Sequence, residues 1–464
     1  MIVRTLAAVA LAVAALAPAA APASAASVTF GAPAAKAVYG QSITFTVQLD
    51  HTGPLARVEL QITSPGSLGP FVVTVPVTDA ASQVATYTLD VTGGGHIVPN
   101  TTLEVAWAAY PEAGKPPVVS TTETVHYADT EHEWRTLKGD VVTVHWYQGG
   151  QAFAQRALAI GDKAVKDTSA LLGVENVRPV DFFIYADNDS FRKALGPGTR
   201  ENVGGEAHAD IRTLFALIEP AAIDDAWVGI VIPHELVHLV FGDAVDNPFR
   251  APPRWFNEGL AVYLSQSYDA SDKAAVADAV KSGDLMPLTA LTGQFPTDPG
   301  LTSLAYAEAV SAVDHLVRTY GQDALLKLVD AYATGPTDDE AFTTAIGKDV
   351  AGFQQGWLDE LGAPVPKQQG PKPAPAGPIP PGWEGQAPGQ PTTAPGATDA
   401  APQSSAGAGS SATPTAAPPA AGNGGTGGDG GAGSNLPLVL VGLAAVAVVV
   451  VGGLVVARRR TSVP

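Results

Sequence analysis

The chain has 464 residues, with 26 Lys and Arg against 45 Asp and Glu, which gives a formal net charge of −19. This balance argues against a nucleic-acid-binding protein, because neutralising phosphates requires clustered basic residues. Cysteine is absent, so disulfides, thiolate nucleophiles and cysteine-ligated metals are excluded. Any metal must therefore be bound by histidine and carboxylate ligands.

The first 26 residues are typical of a signal peptide. Arg4 precedes an apolar run from Leu6 to Ala17, and the small residues at 23–25 provide a cleavage site. We therefore expect residues 1–26 to be removed on export. The alternative is a retained N-terminal anchor, for which the apolar run is short.

The C-terminal part combines a low-complexity segment with an apolar one. Residues 362–434 are rich in Pro, Gly, Ala, Ser and Thr, and we predict a disordered linker. Residues 435–457 carry no charge and predict one transmembrane helix, and the arginines at 458–460 place the tail 458–464 in the cytoplasm. We therefore expect a single-pass type I protein of a bacterial cell membrane, with its folded domains extracellular.

Between residues 27 and 128, apolar and polar residues alternate in short segments that are separated by Gly- and Pro-rich turns. About seven such segments in a hundred residues predict an all-β, immunoglobulin-like sandwich, which we interpret as an accessory domain. His51 and His96 lie in turn-like stretches, and we predict that both are surface residues without a ligand role.

Residues 129–361 change to a mainly helical pattern and predict an α+β domain. Together with the sandwich, the linker and the membrane helix, this makes the predicted fold class multidomain. The predicted strands are 141–146, 180–185 and 212–218, and the predicted helices are 152–172, 226–241, 254–267, 271–281, 303–319, 322–333, 338–346 and 350–361.

The helical domain contains an HExxH sequence, His234-Glu235-Leu236-Val237-His238. On a helix the i, i+4 spacing places His234 and His238 on one face, where they can bind one Zn²⁺, with Glu235 beside the metal. The surrounding residues 230–241 are mostly apolar, so the helix is predicted to be buried. Pro233 predicts that the helix starts or bends at this point.

A catalytic zinc site needs a third protein ligand, and the apolar segment 254–263 offers Glu258. The HExxH sequence followed by Trp255-Phe256-Asn257-Glu258-Gly259 resembles the gluzincin zinc metallopeptidases, which have a peptidase MA-like domain of the aminopeptidase-N type. The resemblance runs through 234–263 and extends more loosely over about 130–361. We therefore expect residues 129–361 to be a zinc metallopeptidase domain.

The resemblance implies one Zn²⁺ per chain, with His234, His238 and Glu258 as its ligands. It also implies that Glu235 is the general base that activates a zinc-bound water, and that the substrate is a peptide or a protein. Tyr306 is suggested as the hydrogen-bond partner of the tetrahedral oxyanion, although it is equally compatible with a core tyrosine. The other candidates for this role are Tyr263 and His208.

The chain departs from the family pattern at two points. Between His238 and Glu258 there are 19 residues, one more than is usual in aminopeptidase-N-like enzymes. The Gly-Ala-Met-Glu-Asn segment that binds the substrate amine in those enzymes is not present, and its nearest equivalent is 204–208. Endopeptidase and exopeptidase action therefore both stay open. Asp243 and Glu308 are candidate carboxylates for orienting the histidine ligands.

The remaining histidines of the helical domain and the domain junction lack ligand spacing, and we predict surface or satisfied core positions for them: His126, His132, His145 and His315. The predicted function is a membrane-anchored extracellular zinc metallopeptidase. One alternative is a catalytically silent, surface-displayed binding or cell-envelope scaffold protein that keeps the zinc-peptidase fold. A second alternative is an HExxH sequence that occurs by chance and binds no metal.

Overall fold

The computed structural model describes residues 27–93, 95–196, 203–247, 251–335, 337–366 and 446–449. The predicted signal peptide and cytoplasmic tail lie outside these residues, as does the predicted linker beyond residue 366.

The N-terminal region is built from strands, as the period-two alternation predicted. Strand β3 pairs antiparallel with β1, β2 and β6, and strand β7 pairs antiparallel with β4, β8 and β9, while β5 extends the second sheet from β4. The strands are β1 Val28–Phe30, β2 Ala34–Val38, β3 Ser42–His51, β4 Arg57–Thr63, β5 Phe71–Thr74, β6 Ser82–Asp90, β7 Thr101–Tyr110, β8 Val118–Val119 and β9 Glu123–Tyr127.

The two sheets share one hydrophobic core. Alternate residues of β3, among them Phe45 and Leu49, point inward and meet Leu60 of β4 and Trp107 of β7. This burial confirms the predicted β-rich N-terminal region. The prediction for His51 is wrong, because this histidine ends β3 with only 5% of its surface exposed.

The second region has a mixed sheet with helices packed on it. Strand order is β10-β11-β12-β14-β13-β15, in which β11, β12 and β14 run parallel and the other pairs run antiparallel. The strands are β10 Arg135–Lys138, β11 Val142–Trp146, β12 Val180–Tyr185, β13 Val203–His208, β14 Thr213–Leu217 and β15 Val446–Val449. The helices are α1 Gln151–Leu172, α2 Asn188–Leu195, α3 Val228–Val245, α4 Arg254–Ser265, α5 Ala270–Ser282, α6 Pro299–Tyr320, α7 Gln322–Ala333, α8 Asp338–Ile346 and α9 Val350–Leu361.

The structure confirms that this region is mainly helical. It also contains three elements that were not predicted from the sequence. Strand β10, helix α2 and strand β13 are short, and β13 contains two glycines, which weaken any strand signal. Pro233 lies inside α3, so the helix does not start there. Among the described helices, α3 has the length and apolarity to cross a membrane, but 67% of it is buried inside the protein, so it is a core helix.

The predicted transmembrane helix over 435–457 lies outside the described residues except at Val446–Val449. Those four residues form β15, which pairs antiparallel with β13, and they therefore differ from the predicted helix. Two physical reasons favour the strand. Valine is branched at Cβ and prefers extended backbone, and the outer edge of β13 offers unpaired backbone groups to a further strand.

The sandwich contacts the sheet of the helical region directly. Asn100 donates from Nδ2 to Asp181 at 3.2 Å and to the Thr213 hydroxyl at 2.9 Å, which ties the sandwich to the beginnings of β12 and β14. His132 stacks on Tyr147 with ring centroids 3.8 Å apart. The histidines of the junction thus pack against aromatic and polar neighbours.

Candidate metal centre

Helix α3 positions three of the predicted site residues. It packs against α1, α4 and β13, so its mostly apolar surface is buried nearly all round. The side chains of His234, Glu235 and His238 share this burial, with 2%, 0% and 6% of their surfaces exposed. As the i, i+4 spacing requires, the two imidazoles lie on one face, with ring centroids 4.9 Å apart.

Helix α4 brings the fourth residue to the same place. Glu258 is fully buried, and its Oε2 lies 3.5 Å from His234 Nε2 and 3.6 Å from His238 Nε2. One ligand atom from each of these three side chains falls within 4.8 Å of the others. The structure therefore brings together the three predicted metal ligands, and this group could bind a metal ion.

The position of α4 depends on Gly259, the residue after the candidate ligand. A Cβ atom at this position would lie 2.4 Å from the carbonyl oxygen of Ala309 in α6 and 2.9 Å from a methyl group of Val313. Contacts this short do not occur without backbone movement. The glycine thus allows α4 and α6 to approach closely and places Glu258 opposite the histidines.

The tautomer of His238 is set by a neighbour in α4. Its Nδ1 lies 2.9 Å from Oδ1 of Asn257, an acceptor, so Nδ1 carries the proton and Nε2 keeps a free lone pair. Asn257 was not singled out from the sequence as an orienting residue, although it directly precedes Glu258. A polar side chain directly before the candidate ligand was the signal that could have identified it.

The two carboxylates that the sequence suggested for this orienting role serve elsewhere. Asp243 forms ion pairs with Arg178 and Arg212, the latter at 3.0 Å, and Glu308 accepts the Met286 amide at 3.1 Å on each oxygen. Neither contacts a histidine of the site, so both predictions were wrong. The HExxH sequence gives no information about such long-range partners.

Burial controls the protonation of the site. It lowers the pKa of His234 to about 3 and that of His238 to about 4, so both imidazoles are neutral at pH 7. Burial, reinforced by the carboxylates of Glu258 and Glu206, raises the pKa of Glu235 well above its ordinary value. Burial also raises the pKa of Glu258, against the opposing effects of His238 and Arg254.

Strand β13 borders the site on the side of Glu235. A Cβ atom at Gly205 would lie 2.9 Å from Glu235 Cγ, so this strand lies directly against the carboxylate. Side chains alternate along a strand, so Glu206 and His208 point to the opposite face of the sheet. There His208 pairs with Glu206 at 3.0 Å and packs edge-on against Phe215.

The structure separates the three candidates for the oxyanion partner. Tyr306 lies at the site, with its ring centroid 6.5 Å from that of His234, and it packs edge-on against Phe295 at 5.2 Å. Burial and the Glu258 carboxylate raise the pKa of Tyr306 well above its ordinary value, so its hydroxyl stays protonated. His208 points to the other face of the sheet, and Tyr263 lies near Asp314, about two helical turns beyond Tyr306 in α6.

The donor set fits a zinc ion. The Nε2 atoms of His234 and His238 are buried without a hydrogen-bond partner among the residues that the structure describes, and the same holds for both oxygens of Glu235. Buried polar atoms are rarely left in this state. Two neutral imidazoles and one carboxylate are ligands that zinc accepts, with a further position left for water or substrate.

Comparison with known proteins agrees with this geometry. The family model described as the peptidase MA superfamily matches residues 160–363. A glutamyl aminopeptidase of Bitis rhinoceros is 26% identical over 196 residues, covering 37% of this chain and 20% of that protein. An aminopeptidase A of Gloydius brevicauda gives the same figures. The chain thus spans about a fifth of the length of these relatives.

The solved structures to which this chain shows some similarity include two peptidases. One is an aminopeptidase N family protein from Idiomarina loihiensis, with 10% identity, a TM-score of 0.38 and coverage of 70% of this chain and 76% of that chain. The other is the M1 zinc metallopeptidase of Deinococcus radiodurans, with 14% identity, a TM-score of 0.35 and coverage of 71% and 93%. Residues 160–363 are thus similar to the peptidase MA superfamily, and the candidate metal centre lies within the matched segment.

Proposed function

We propose that this chain is a zinc-dependent peptidase, with one Zn²⁺ held by His234, His238 and Glu258. One observation carries the proposal. Beside the two imidazoles and the Glu258 carboxylate lies a second buried carboxylate, Glu235, whose oxygens have no hydrogen-bond partner in the described part of the chain. A structural zinc site has no use for such a group, whereas hydrolysis requires a general base.

The chemistry follows from the residues around the metal position. Zinc, when bound, lowers the pKa of a water to about 7 and polarises a carbonyl group. Glu235 accepts the proton of the attacking water and then donates it to the nitrogen of the leaving amine. The protonated hydroxyl of Tyr306 donates a hydrogen bond to the oxyanion that develops.

The placement of β13 favours cleavage of internal peptide bonds. Gly205, which has no side chain, faces Glu235, while the acidic Glu206 pairs with His208 on the other face of the sheet. No acidic side chain of the described part of this strand is therefore aimed at a free substrate amine. Peptides with blocked N-termini should be cleaved at least as well as the matching free peptides, and a strict requirement for a free amine would contradict this point.

The test of the proposal is hydrolysis of an internally quenched peptide library by the full chain. Wild type should cleave a subset of the peptides, and Glu235→Gln should keep its zinc but lose about 10²–10⁴-fold in rate, because a general base contributes that much. Cleavage by Glu235→Gln at the wild-type rate would overturn the mechanism. A zinc-loaded wild type that cleaves nothing would favour the catalytically silent scaffold instead.

We also propose that the chain is exported and anchored in a bacterial cell membrane. The support is the signal-peptide pattern of residues 1–26 and the uncharged segment 435–457 followed by three arginines. The anchor requires Val446–Val449 to leave strand β15 and enter the membrane as part of a helix. A chain that ends at residue 434 should be secreted into the medium, whereas the full chain should fractionate with membranes. Recovery of the full chain from the cytosol would contradict the anchor.

A further inference from the structure

Arg254 lies in the first turn of α4, four residues before Glu258 and therefore on the same face of the helix. Its side chain is only 11% exposed, and its Nη2 lies 3.1 Å from Oε1 of the fully buried Glu258. No step of the proposed reaction uses this arginine. A largely buried cation next to a candidate metal ligand therefore needs an explanation of its own.

The two oxygens of Glu258 have different neighbours. Oε2 faces both imidazoles, at 3.5 Å from His234 Nε2 and 3.6 Å from His238 Nε2. Oε1 faces the guanidinium of Arg254, and the Tyr306 hydroxyl also hydrogen-bonds to this carboxylate. One oxygen of the Glu258 carboxylate thus faces the metal position, and the other faces a positive charge.

Other contacts keep Arg254 in this place. Its backbone amide donates to the carbonyl of Thr292 at 2.9 Å, and its guanidinium carbon lies 5.3 Å from the ring centroid of Phe295. Its Nε is buried with no hydrogen-bond partner among the described residues. A buried ion pair generally adds little net stability, because desolvating both charges costs about as much as their attraction returns. Stability alone is therefore a poor explanation for the pair.

We infer that Arg254 is a positioning residue that confines Glu258 to metal ligation through one oxygen, Oε2. The inference rests on the proposed function, since it assumes a metal between Glu258 and the two histidines. A catalytic zinc site must keep a coordination position open for water and substrate. By holding Oε1, Arg254 prevents the carboxylate from binding through both oxygens and filling that position.

The pairing itself is tested without metal, by a double-mutant cycle on the full chain. Arg254→Met leaves a buried carboxylate without its cation, so the thermal unfolding midpoint of the metal-free protein should fall by several degrees. Adding Glu258→Gln to Arg254→Met should restore most of that loss. Strictly additive effects of the two substitutions would show that the residues are not coupled, and would overturn the inference.

The ligation mode is tested with Co²⁺, whose visible absorption weakens as its coordination number rises and so reports geometry. We expect Arg254→Met to bind one Co²⁺ per chain with bands clearly weaker than those of wild type, because Glu258 is then free to bind through both oxygens. Arg254→Lys keeps a cation near Oε1 and should retain bands close to those of wild type.

Two outcomes of the cobalt experiment would overturn the inference. One is a spectrum of Arg254→Met identical to that of wild type at full Co²⁺ occupancy. The other is Co²⁺ binding by Arg254→Lys but none by Arg254→Met, since Arg254 would then be needed for ligation itself. If wild type binds no Co²⁺ or Zn²⁺, the proposed function fails, while the metal-free cycle still decides whether Arg254 and Glu258 are coupled.

Discussion

The sandwich and the helical domain each bury a histidine to nearly the same extent, but the two histidines differ in their hydrogen-bond partners. His51 in the sandwich is 5% exposed, and its two ring nitrogens meet the carbonyl of Gly53 at 2.6 Å and the amide of Gln83 at 3.3 Å. His238 in the helical domain is 6% exposed, and its Nδ1 meets Asn257, but its Nε2 has no hydrogen-bond partner in the described part of the chain.

The difference separates a structural histidine from a candidate ligand. Burying a polar atom without a partner costs about 1–3 kcal/mol, so a group of such atoms in one place calls for an explanation. At the candidate metal centre several of them converge in one place. The burial of a histidine alone therefore says nothing about function. Several buried polar atoms that lack hydrogen-bond partners and lie close together indicate a functional site.

The largest effect is expected from replacing the two histidines in parallel. His238→Ala should lose zinc and reduce hydrolysis by at least about 100-fold, because it removes a ligand rather than an orienting partner. His51→Ala should keep both properties and lower the free energy of unfolding by about 1–3 kcal/mol. Metal content, peptide cleavage and urea unfolding of the two variants measure the contrast. Equal zinc loss from His238→Ala and His51→Ala would contradict the distinction between a metal ligand and a structural histidine.

Tyr306 and Tyr263 provide a second pair. Tyr306→Phe removes the hydroxyl that lies at the site and should lower kcat by about 10²–10³-fold with little change in KM, because the hydrogen bond forms only as the oxyanion develops. Tyr263→Phe should leave both constants near wild type. Steady-state kinetics on one library substrate test whether Tyr306 donates to the oxyanion. An unchanged kcat for Tyr306→Phe would show that this residue is only a core tyrosine.

Two glycines of the helical domain differ in the space around their Cβ positions, and replacing each with alanine tests the close approach of α4 and α6. Gly259→Ala forces α4 away from Ala309 and should cost about 1–3 kcal/mol of stability, together with some zinc affinity. Gly229→Ala in α3 has open space around its Cβ position and should be neutral or stabilising by up to about 1 kcal/mol. Chemical denaturation and zinc titration measure both effects. Equal stability of the two variants would refute the close-approach argument.

Glu308 should give the stability of the helical domain a defined pH dependence. Burial raises the pKa of this carboxyl from 4.5 to about 8, so between these values the folded state holds a proton that the unfolded state has lost. Stability should therefore fall as the pH rises from about 5 to 8, by up to about 1.4 kcal/mol per pH unit. Glu308→Gln should reduce this slope, and Glu235 and Glu258, whose pKa values burial also raises, should account for the part that remains.

The control for this profile is Glu104→Gln, which replaces an exposed carboxylate of β7. Both variants are compared with wild type by urea unfolding of the metal-free protein at several pH values. A profile for Glu308→Gln as steep as that of wild type would show that Glu308 does not carry the pH dependence.

Much of the helical domain could be predicted because its signals are local. The spacing of His234 and His238 fixes their common face in any helix, and Glu258 lies in a recognisable motif on the next helix. Strand β13 could not be predicted, because its glycines are extended only through pairing with β14. The environment of His51 depends on Gln83, which is distant in sequence.

The role of Arg254 could be predicted only in part from the sequence. Its spacing of four residues from Glu258 was visible in the sequence, and i, i+4 pairs of opposite charge are a known helix signal. The sequence does not show that Glu258 is fully buried and Arg254 largely buried, and this burial gives the ion pair its significance.

The central claim is that the converging ligand atoms of His234, His238 and Glu258 exist to bind one metal ion. The most direct measurement is the zinc content of the purified full chain by elemental analysis, for wild type, His238→Ala and Glu258→Ala. The account predicts one zinc per chain in wild type and a sharp loss in both variants. A metal-free wild type, or zinc content that is indifferent to Glu258→Ala, would contradict it.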